Sequence, residues 1–343
     1  MNKVMQLRLV AAAAVIAAIA AGAGNAASFG HTDNPAYPNA MFKHPQLKHG
    51  VLTIKGTKAS DKITLRLKAG DPGVLEVDIG DDGVADFSFS RTSVTRIAVN
   101  AGKGRDAIRI DDTNGAFTDV IPTTIDGGAG NDTIAGGKGA EILLGGSGND
   151  TIDGNGGNDA ARLGAGDDTF VWDPGDGSDV VEGQNGHDTM LFNGANQSEK
   201  IDLSANGSRL RFFRDLGNIT MDTAGVETVD FTALGGADLV TVNDLTGTDV
   251  RDVNVDLGAA GGGGDGQPDS VVVKGTNGND RVDVSGDAGA VKVSGLAATV
   301  EVQEPEVAND QLAIDTLAGA DTVDSGALAA GAIKLVVNGV PRP

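Results

Sequence analysis

The chain has 343 residues, with 48 acidic against 26 basic side chains and a formal net charge of −22. Phe, Trp and Tyr make up 3% of it, too few for a large conventional globular core, whereas the aliphatic residues suffice for a solenoid with a narrow one. The acidic balance argues against nucleic acid and anionic membranes as partners, and the absence of cysteine excludes disulfide staples, a thiol nucleophile and zinc–thiolate sites.

Residues 1–26 read as a secretory signal peptide. Lys3 and Arg8 give a positive start, Leu9 to Ala21 is an apolar run, and Gly24-Asn25-Ala26 or Ala21-Gly22-Ala23 offers a small-residue cleavage site. The run is too short to span a bilayer, so the mature chain is expected to be extracellular or on the cell surface, without membrane insertion. Residues 27–50 are polar, carry Pro35, Pro38 and Pro45 with His31, His44 and His49, and predict an extended lead.

From Val51 short strand patterns alternate with Gly, Asp and Pro. Val51–Ile54, Ile63–Leu67, Val74–Ile79 and Phe87–Phe89 predict an N-terminal β module over 51–126.

Residues 127–191 then repeat nine at a time. Gly127-Gly128-Ala129-Gly130-Asn131-Asp132 opens the first unit, and Gly136-Gly137-Lys138-Gly139-Ala140-Glu141 the second. Gly145-Gly146-Ser147-Gly148-Asn149-Asp150 opens the third, and looser versions end on Asp159, Asp168, Asp179 and Asp188. Trp172 and Asp173 interrupt the count. Each acid is followed, two residues on, by an apolar residue: Ile134, Leu143, Ile152, Ala161, Phe170, Val181 and Met190. Glycine permits positive φ and a tight turn, and the turned backbone exposes carbonyl oxygens beside the sixth-position carboxylate. Such hard oxygens suit calcium, and the apolar residue can enter a thin core from a short strand. Each unit is therefore half turn and half strand.

This stretch resembles the RTX, or hemolysin-type, calcium-binding nonapeptide repeats, G-G-x-G-x-D-x-U-x with U apolar. The resemblance implies an all-β fold, a right-handed parallel β-roll or β-solenoid. It also implies several Ca2+ ions held between turns two repeats apart by backbone carbonyls and sixth-position acids. Carried onto this chain, the carboxylates are Asp132, Asp150, Asp159, Asp168, Asp179 and Asp188, among turns built by Gly127, Gly128, Gly130, Gly136, Gly137, Gly139, Gly145, Gly146 and Gly148. Glu141 departs from the pattern, and its longer side chain predicts the weakest internal site. Two columns are expected, Asp132–Asp150–Asp168 and Glu141–Asp159–Asp179, the second broken by the Trp172–Asp173 insertion, with Asp188 at an end.

Residues 192–343 predict two further β modules that continue or cap the roll. Gly56–Leu65 aligns without gaps with Gly194–Leu203 and with Gly275–Val284, and Ser93–Asp112 with Gly225–Asp244. Asp310–Ile314 plays the part of Asp106–Ile110. Ala327–Ala332 is the last stretch with any helical character, before the strand pattern of Ile333–Val337.

Neither H-E-x-x-H nor G-x-S-x-G occurs, so no zinc-protease or lipase signature is present. Paired acids at Asp81-Asp82, Asp111-Asp112 and Asp167-Asp168 are read as turn residues. Two functional classes follow. The first is an exported calcium-binding protein with a structural role at a surface or in a matrix. The alternative is a polysaccharide-active enzyme or lectin on a calcium-stabilised solenoid, whose best candidate ligand surface is the Arg209–Arg214 cluster. The bland reading of that cluster is a charged strand countering local acids.

Overall fold

A computed structural model describes residues 42–342, so the signal-peptide reading of residues 1–26 and most of the lead lie outside the described residues. The described chain is all-β, with parallel-rich sheets and no α-helix. It divides into two compact units, one ending at Asp188 and the other spanning Thr189–Pro343.

In the first unit the chain winds between two sheets. One contains, in spatial order, Lys43–Lys48, Val51–Lys55, Arg96–Lys103, Thr123–Ala129, Glu141–Ser147, Ala160–Ala165 and Val180–Asn185. The other runs Phe87–Ser90, Asp71–Ile79, Lys62–Lys68, Ala107–Asp111, Thr133–Ala135, Thr151–Asp153 and Thr169–Trp172. Two nonapeptides make one coil, because each unit bends the chain once and sends it to the opposite sheet. Stacked coils are in strict register: Ile134 faces Ile152, which faces Phe170, while Ile125, Leu143, Ala161 and Val181 line up on the other sheet. These apolar residues are all buried. A side-chain period of two turns one apolar residue per short strand inward from each sheet, which is why so narrow a core closes.

The roll and the module before it share sheets. Thr123–Ala129 pairs in parallel with Arg96–Lys103, and Ala107–Asp111 with Thr133–Ala135. An antiparallel meander of Lys62–Lys68, Asp71–Ile79 and Phe87–Ser90 closes the second sheet, with Arg66 bonded to Asp78 (2.7 Å) and Glu76 (3.2 Å).

The second unit is built from the same parts. Its first sheet orders Ile219–Ala224, Arg209–Arg214, Lys200–Asn206, Leu239–Val242, Ser270–Lys274, Gln311–Asp315, Lys334–Val337 and Val340–Pro341. Its second orders Thr189–Asn193, Thr228–Thr232, Asp252–Asp256, Thr299–Gln303, Ala290–Ser294, Arg281–Asp287 and Thr322–Leu328. Phe192, Phe212 and Phe231 meet in its core, with centroids 4.3–6.3 Å apart. The three segments aligned in sequence lead into the same local structure: Lys62–Lys68, Lys200–Asn206 and Arg281–Asp287 each open an antiparallel hairpin.

Two local expectations are corrected. Lys43–Lys48 is a strand rather than extended lead, because Pro45 and Leu47 alternate inward and pair the segment with Val51–Lys55. Ala327–Ala332 is not helical. Thr322–Leu328 runs through its start as a strand held in parallel by Arg281–Asp287, and the remainder turns. Sheet pairing there overrides the helical preference of alanine.

Candidate metal centre: the acidic turns

The turns inherit their shape from glycine. In the first, third and fifth nonapeptides the second and fourth positions take positive φ: Gly128 +105° and Gly130 +135°, Gly146 +116° and Gly148 +122°, Gly164 +125° and Gly166 +144°. Where the second glycine is missing, Asn155 (+53°) and Gln184 (+81°) adopt the same hand. First-position glycine serves a different need. A Cβ on Gly127 would lie 2.6 Å from Asp132 Oδ2 and 2.9 Å from the Gly145 carbonyl oxygen of the next coil.

This shape stacks the acids. The backbone N–H of each acid donates to Oδ1 of the acid one coil on: Asp132 to Asp150 (2.7 Å), Asp150 to Asp168 (2.6 Å) and Asp168 to Asp188 (2.9 Å). A second column runs from Glu141 to Asp159 (2.6 Å) and from Asp159 to Asp179 (2.8 Å). The expected break at Trp172–Asp173 is therefore corrected. Both columns cross the insertion, because the two extra residues are folded into a local turn. Asp173 N–H bonds Asp176 Oδ2 (2.6 Å), the buried Trp172 indole bonds the Gly177 carbonyl (2.8 Å), and Val180 returns to register opposite Ala160. Asp188 is accordingly the last repeat acid of the Asp132 column.

One oxygen of each carboxylate is thus used by the fold. The other is not. Oδ2 of Asp132, Asp150, Asp159, Asp168 and Asp179 is buried with no hydrogen-bond partner, in side chains 1–2% exposed. Burial makes charge on these groups costly. Desolvation pushes Asp150 and Asp179 up to about 7, and Asp159, which also feels the Glu141 carboxylate, up to about 9. The unpartnered oxygens lie against first-position glycines beside carbonyls of the next coil: Asp132 Oδ2 with Gly145 O at Gly127, and Asp150 Oδ2 with Leu163 O at Gly145. Buried anionic oxygens among backbone carbonyls fit a hard cation such as calcium. Among the described residues no three His, Asp or Glu side chains converge as a cage. Paired carboxylates completed by carbonyls need no such cage.

The Glu141 turn differs. Gly137 and Gly139 stay outside the left-handed region. The longer side chain reaches back so that Oε2 accepts from Gly137 N–H (2.6 Å), and Thr118 Oγ1 accepts from Gly139 N–H (3.0 Å).

The ladder also extends beyond the residues the repeat pattern singles out. Asp61 N–H donates to Asp106 (2.7 Å) and Asp106 N–H to Asp132 (2.7 Å). The second unit repeats the device from Glu199 to Asp238 (2.6 Å), Asp238 to Asp269 (2.8 Å) and Asp269 to Asp310 (3.1 Å). The sequence holds a signal for Asp106 as such a member: Ala101-Gly102-Lys103-Gly104-Arg105-Asp106 departs from the template at its first position alone, and Gly102 and Gly104 take φ of +107° and +122°.

Most of the other candidates have structural partners, although Asp112 Oδ1 is buried without one. Asp81 accepts from Thr64 (2.7 Å) and pairs with Arg109, Asp111 caps Thr113 N–H (3.0 Å), and Asp167 accepts from His187 N–H (3.2 Å). In the arginine cluster Arg209 pairs with Asp222 (2.5 Å), Arg211 with Asp202 (3.4 Å) while lying over Phe213, and buried Arg214 with buried Glu199. The charged-strand reading describes that cluster.

Residues 124–140, 136–170 and 175–196 match the family model of the RTX calcium-binding nonapeptide repeat, in four copies. No curated protein matches the chain. The stretch that stacks the unpartnered carboxylates is thus the stretch similar to calcium-binding repeats.

Proposed function

We propose that this is an exported calcium-binding protein whose roll is completed by Ca2+ and which serves a structural role at a cell surface or in a matrix, associated with polysaccharide there. Export rests on the signal-like residues 1–26. The observation that carries calcium binding is the row of buried, unpartnered Oδ2 atoms facing carbonyls of the neighbouring coil.

The residues that would hold the ions are Asp132, Asp150, Asp168 and Asp188 in one column and Asp159 and Asp179 in the other, with turn carbonyls such as those of Gly145 and Leu163. A bound cation supplies the positive charge that lets adjacent buried carboxylates ionise together. The chain's own part is to place them. Positive-φ glycines bring the coils close, Oδ1 fixes each side chain through the next N–H, and Oδ2 is left facing the carbonyls. Glu141 Oε1 is likewise buried without a partner, but the longer side chain folds back on Gly137 in a turn whose glycines are not left-handed, so its turn is the weakest of the internal positions. The absence of conventional catalytic signatures and the engagement of the paired acids in turns support a non-enzymatic reading.

A calcium titration of the full chain followed by far-ultraviolet circular dichroism tests this. Strand signal should rise cooperatively with calcium and fall on chelation. A spectrum indifferent to chelator, with no calcium retained after dialysis, would refute it.

A further inference from the structure

Asp202, Asn243 and Lys274 come from three strand segments of the second unit and meet on the outer face of its first sheet. Lys200–Asn206 pairs in parallel with Leu239–Val242, which pairs in parallel with Ser270–Lys274. Ile201, Leu203, Val242 and Val273 point into the core, so strand alternation turns Asp202, Asn243 and Lys274 the other way. Asn243 and Lys274 each follow the matched pair Val242 and Val273, and register therefore sets them side by side. Lys274 Nζ donates to Asn243 Oδ1 (3.0 Å). Asn243 Nδ2 donates to Asp202 Oδ2 (2.9 Å) and to the Leu203 carbonyl (2.8 Å). Two acceptors beside its nitrogen and an amine beside its oxygen give the amide one orientation.

The chain uses simpler asparagine–aspartate pairs elsewhere. Asn100 bonds Asp126 (2.6 Å) and Asn254 bonds Asp230 (2.7 Å) across neighbouring strands. Lys55 stands in register beside Asn100, yet it is exposed and, among the described residues, no bond joins the two. Lys274 differs. Its bond to Asn243 is part-buried, it forms no ion pair with Asp315 although the two face each other in register, and among the described residues its amine bonds Asn243 alone. Lys274 and Asn243 also line a small hollow with Val242, Leu245, Val273 and Ala298. An amine at an amide carbonyl, with a carboxylate at the leaving nitrogen, supplies the groups an acyl transfer needs.

We propose that Lys274 and Asn243 become joined by an isopeptide bond within the folded chain, with Asp202 as the catalytic carboxylate. The neutral Lys274 amine attacks Asn243 Cγ, and the carbonyl electron pair moves to Oδ1 as the Nζ–Cγ bond forms. Asp202 takes a proton from this adduct and passes it to Nδ2, which it already contacts. The carbonyl re-forms, the Cγ–Nδ2 bond breaks, and the nitrogen leaves as ammonia. One amide is exchanged for another, so the step needs no oxidant, reductant or co-substrate. To react, Nζ has only to move from Oδ1 to the adjoining carbon, at the roughly 3–3.5 Å from which attack begins. The product ties neighbouring strands of one sheet and closes a loop that contains the glycine-rich stretch Gly258–Gly266. Closing that loop restricts the unfolded chain, as a disulfide would in a chain that had cysteine.

Mass spectrometry of the calcium-loaded full chain tests this, with samples taken over time at pH 7 and pH 9. The intact mass should fall short of the sequence mass by one ammonia. Proteolysis should yield a branched peptide joining the segments around Asn243 and Lys274, and none joining Asn100 and Lys55. Formation should be faster at pH 9, where more of the amine is neutral. Asp202→Asn should slow it by about a hundredfold, within the range of general acid–base catalysis. Lys274→Arg keeps the charge and a donor to Asn243 but is no nucleophile. It should retain the full sequence mass and melt at a lower temperature than the cross-linked chain, with the same strand signal in circular dichroism. A folded chain that keeps its full mass after prolonged incubation at pH 9 would overturn the proposal. So would ammonia loss without the branched peptide, which is succinimide formation at an asparagine, or a rate unchanged in Asp202→Asn.

Discussion

Asp150 occupies the middle of its column. Its Oδ1 holds Asp132 N–H, its own N–H is held by Asp168, and its Oδ2 faces the Leu163 carbonyl at Gly145. Replacing it by Ala removes a carboxylate proposed as a ligand and an internal bond together. Calcium affinity should fall by about tenfold or more, on the usual scale of hydrogen bonds to charged groups, with a shallower Hill slope. Asp188, at the end of the same column, should cost less on both readings. An Asp188→Ala variant as damaging as Asp150→Ala in parallel titrations would contradict the column assignment. Gly127 offers a complementary probe, since an added Cβ would intrude between Asp132 Oδ2 and the Gly145 carbonyl. Gly127→Ala should lower calcium affinity more than it lowers melting temperature in chelator, because the atoms displaced are the ones assigned to the ion.

Among the elements, the hairpins shared by the three aligned segments should hold together without calcium. Their acids are already satisfied: Asp61 accepts from Thr57 N–H (2.6 Å), Glu199 from Ala195 N–H (3.0 Å) and Asp280 from Thr276 N–H (2.7 Å). Glu199 goes further, since Arg214 Nε reaches it at 2.6 Å inside the second unit. Removing one partner of a buried ion pair strands the other, so Arg214→Met should destabilise the protein by about 3–5 kcal/mol in chemical denaturation. Calcium should not restore that loss. Limited proteolysis in chelator should cut 127–191 before 62–79, as the roll strands Thr133–Ala135 and Thr151–Asp153 are only three residues long and lean on their neighbours.

For the whole molecule the stacked acids couple folding to pH and to metal. In the calcium-free fold, burial pushes Asp106, Glu141, Asp150 and Asp179 up to about 7 and Asp159 to about 9. Their unfolded values lie near 4, so between about pH 4 and 7 the folded state holds more protons than the unfolded. Stability in chelator is then greatest at the acid end of that window and is lost as pH rises through it, with Asp159 extending the loss toward 9. Melting in chelator should occur at higher temperature at pH 5 than at pH 8. Calcium should reverse the order and release protons on binding at pH 6, which calorimetry in buffers of different ionisation enthalpy would register.

Much of this design is legible in the amino-acid sequence. The nonapeptide period, its glycines and its apolar eighth position determine turn, strand and inward face, because each is a local property with a fixed spacing. Asp132 to Asp188 can be named on that ground, and so can the likeness between the flanking segments. Three things are decided only by the tertiary structure. Whether Trp172 and Asp173 break a column depends on where the extra residues are stored, and that is settled by a buried indole and a local turn. Asp106 and Asp238 join ladders because the coil that follows presents a carboxylate to their N–H groups, a contact between residues far apart in the chain. The contact of Lys274 with Asn243 and Asp202 exists only because parallel pairing sets three strands side by side, a juxtaposition that sheet register creates and sequence spacing does not contain.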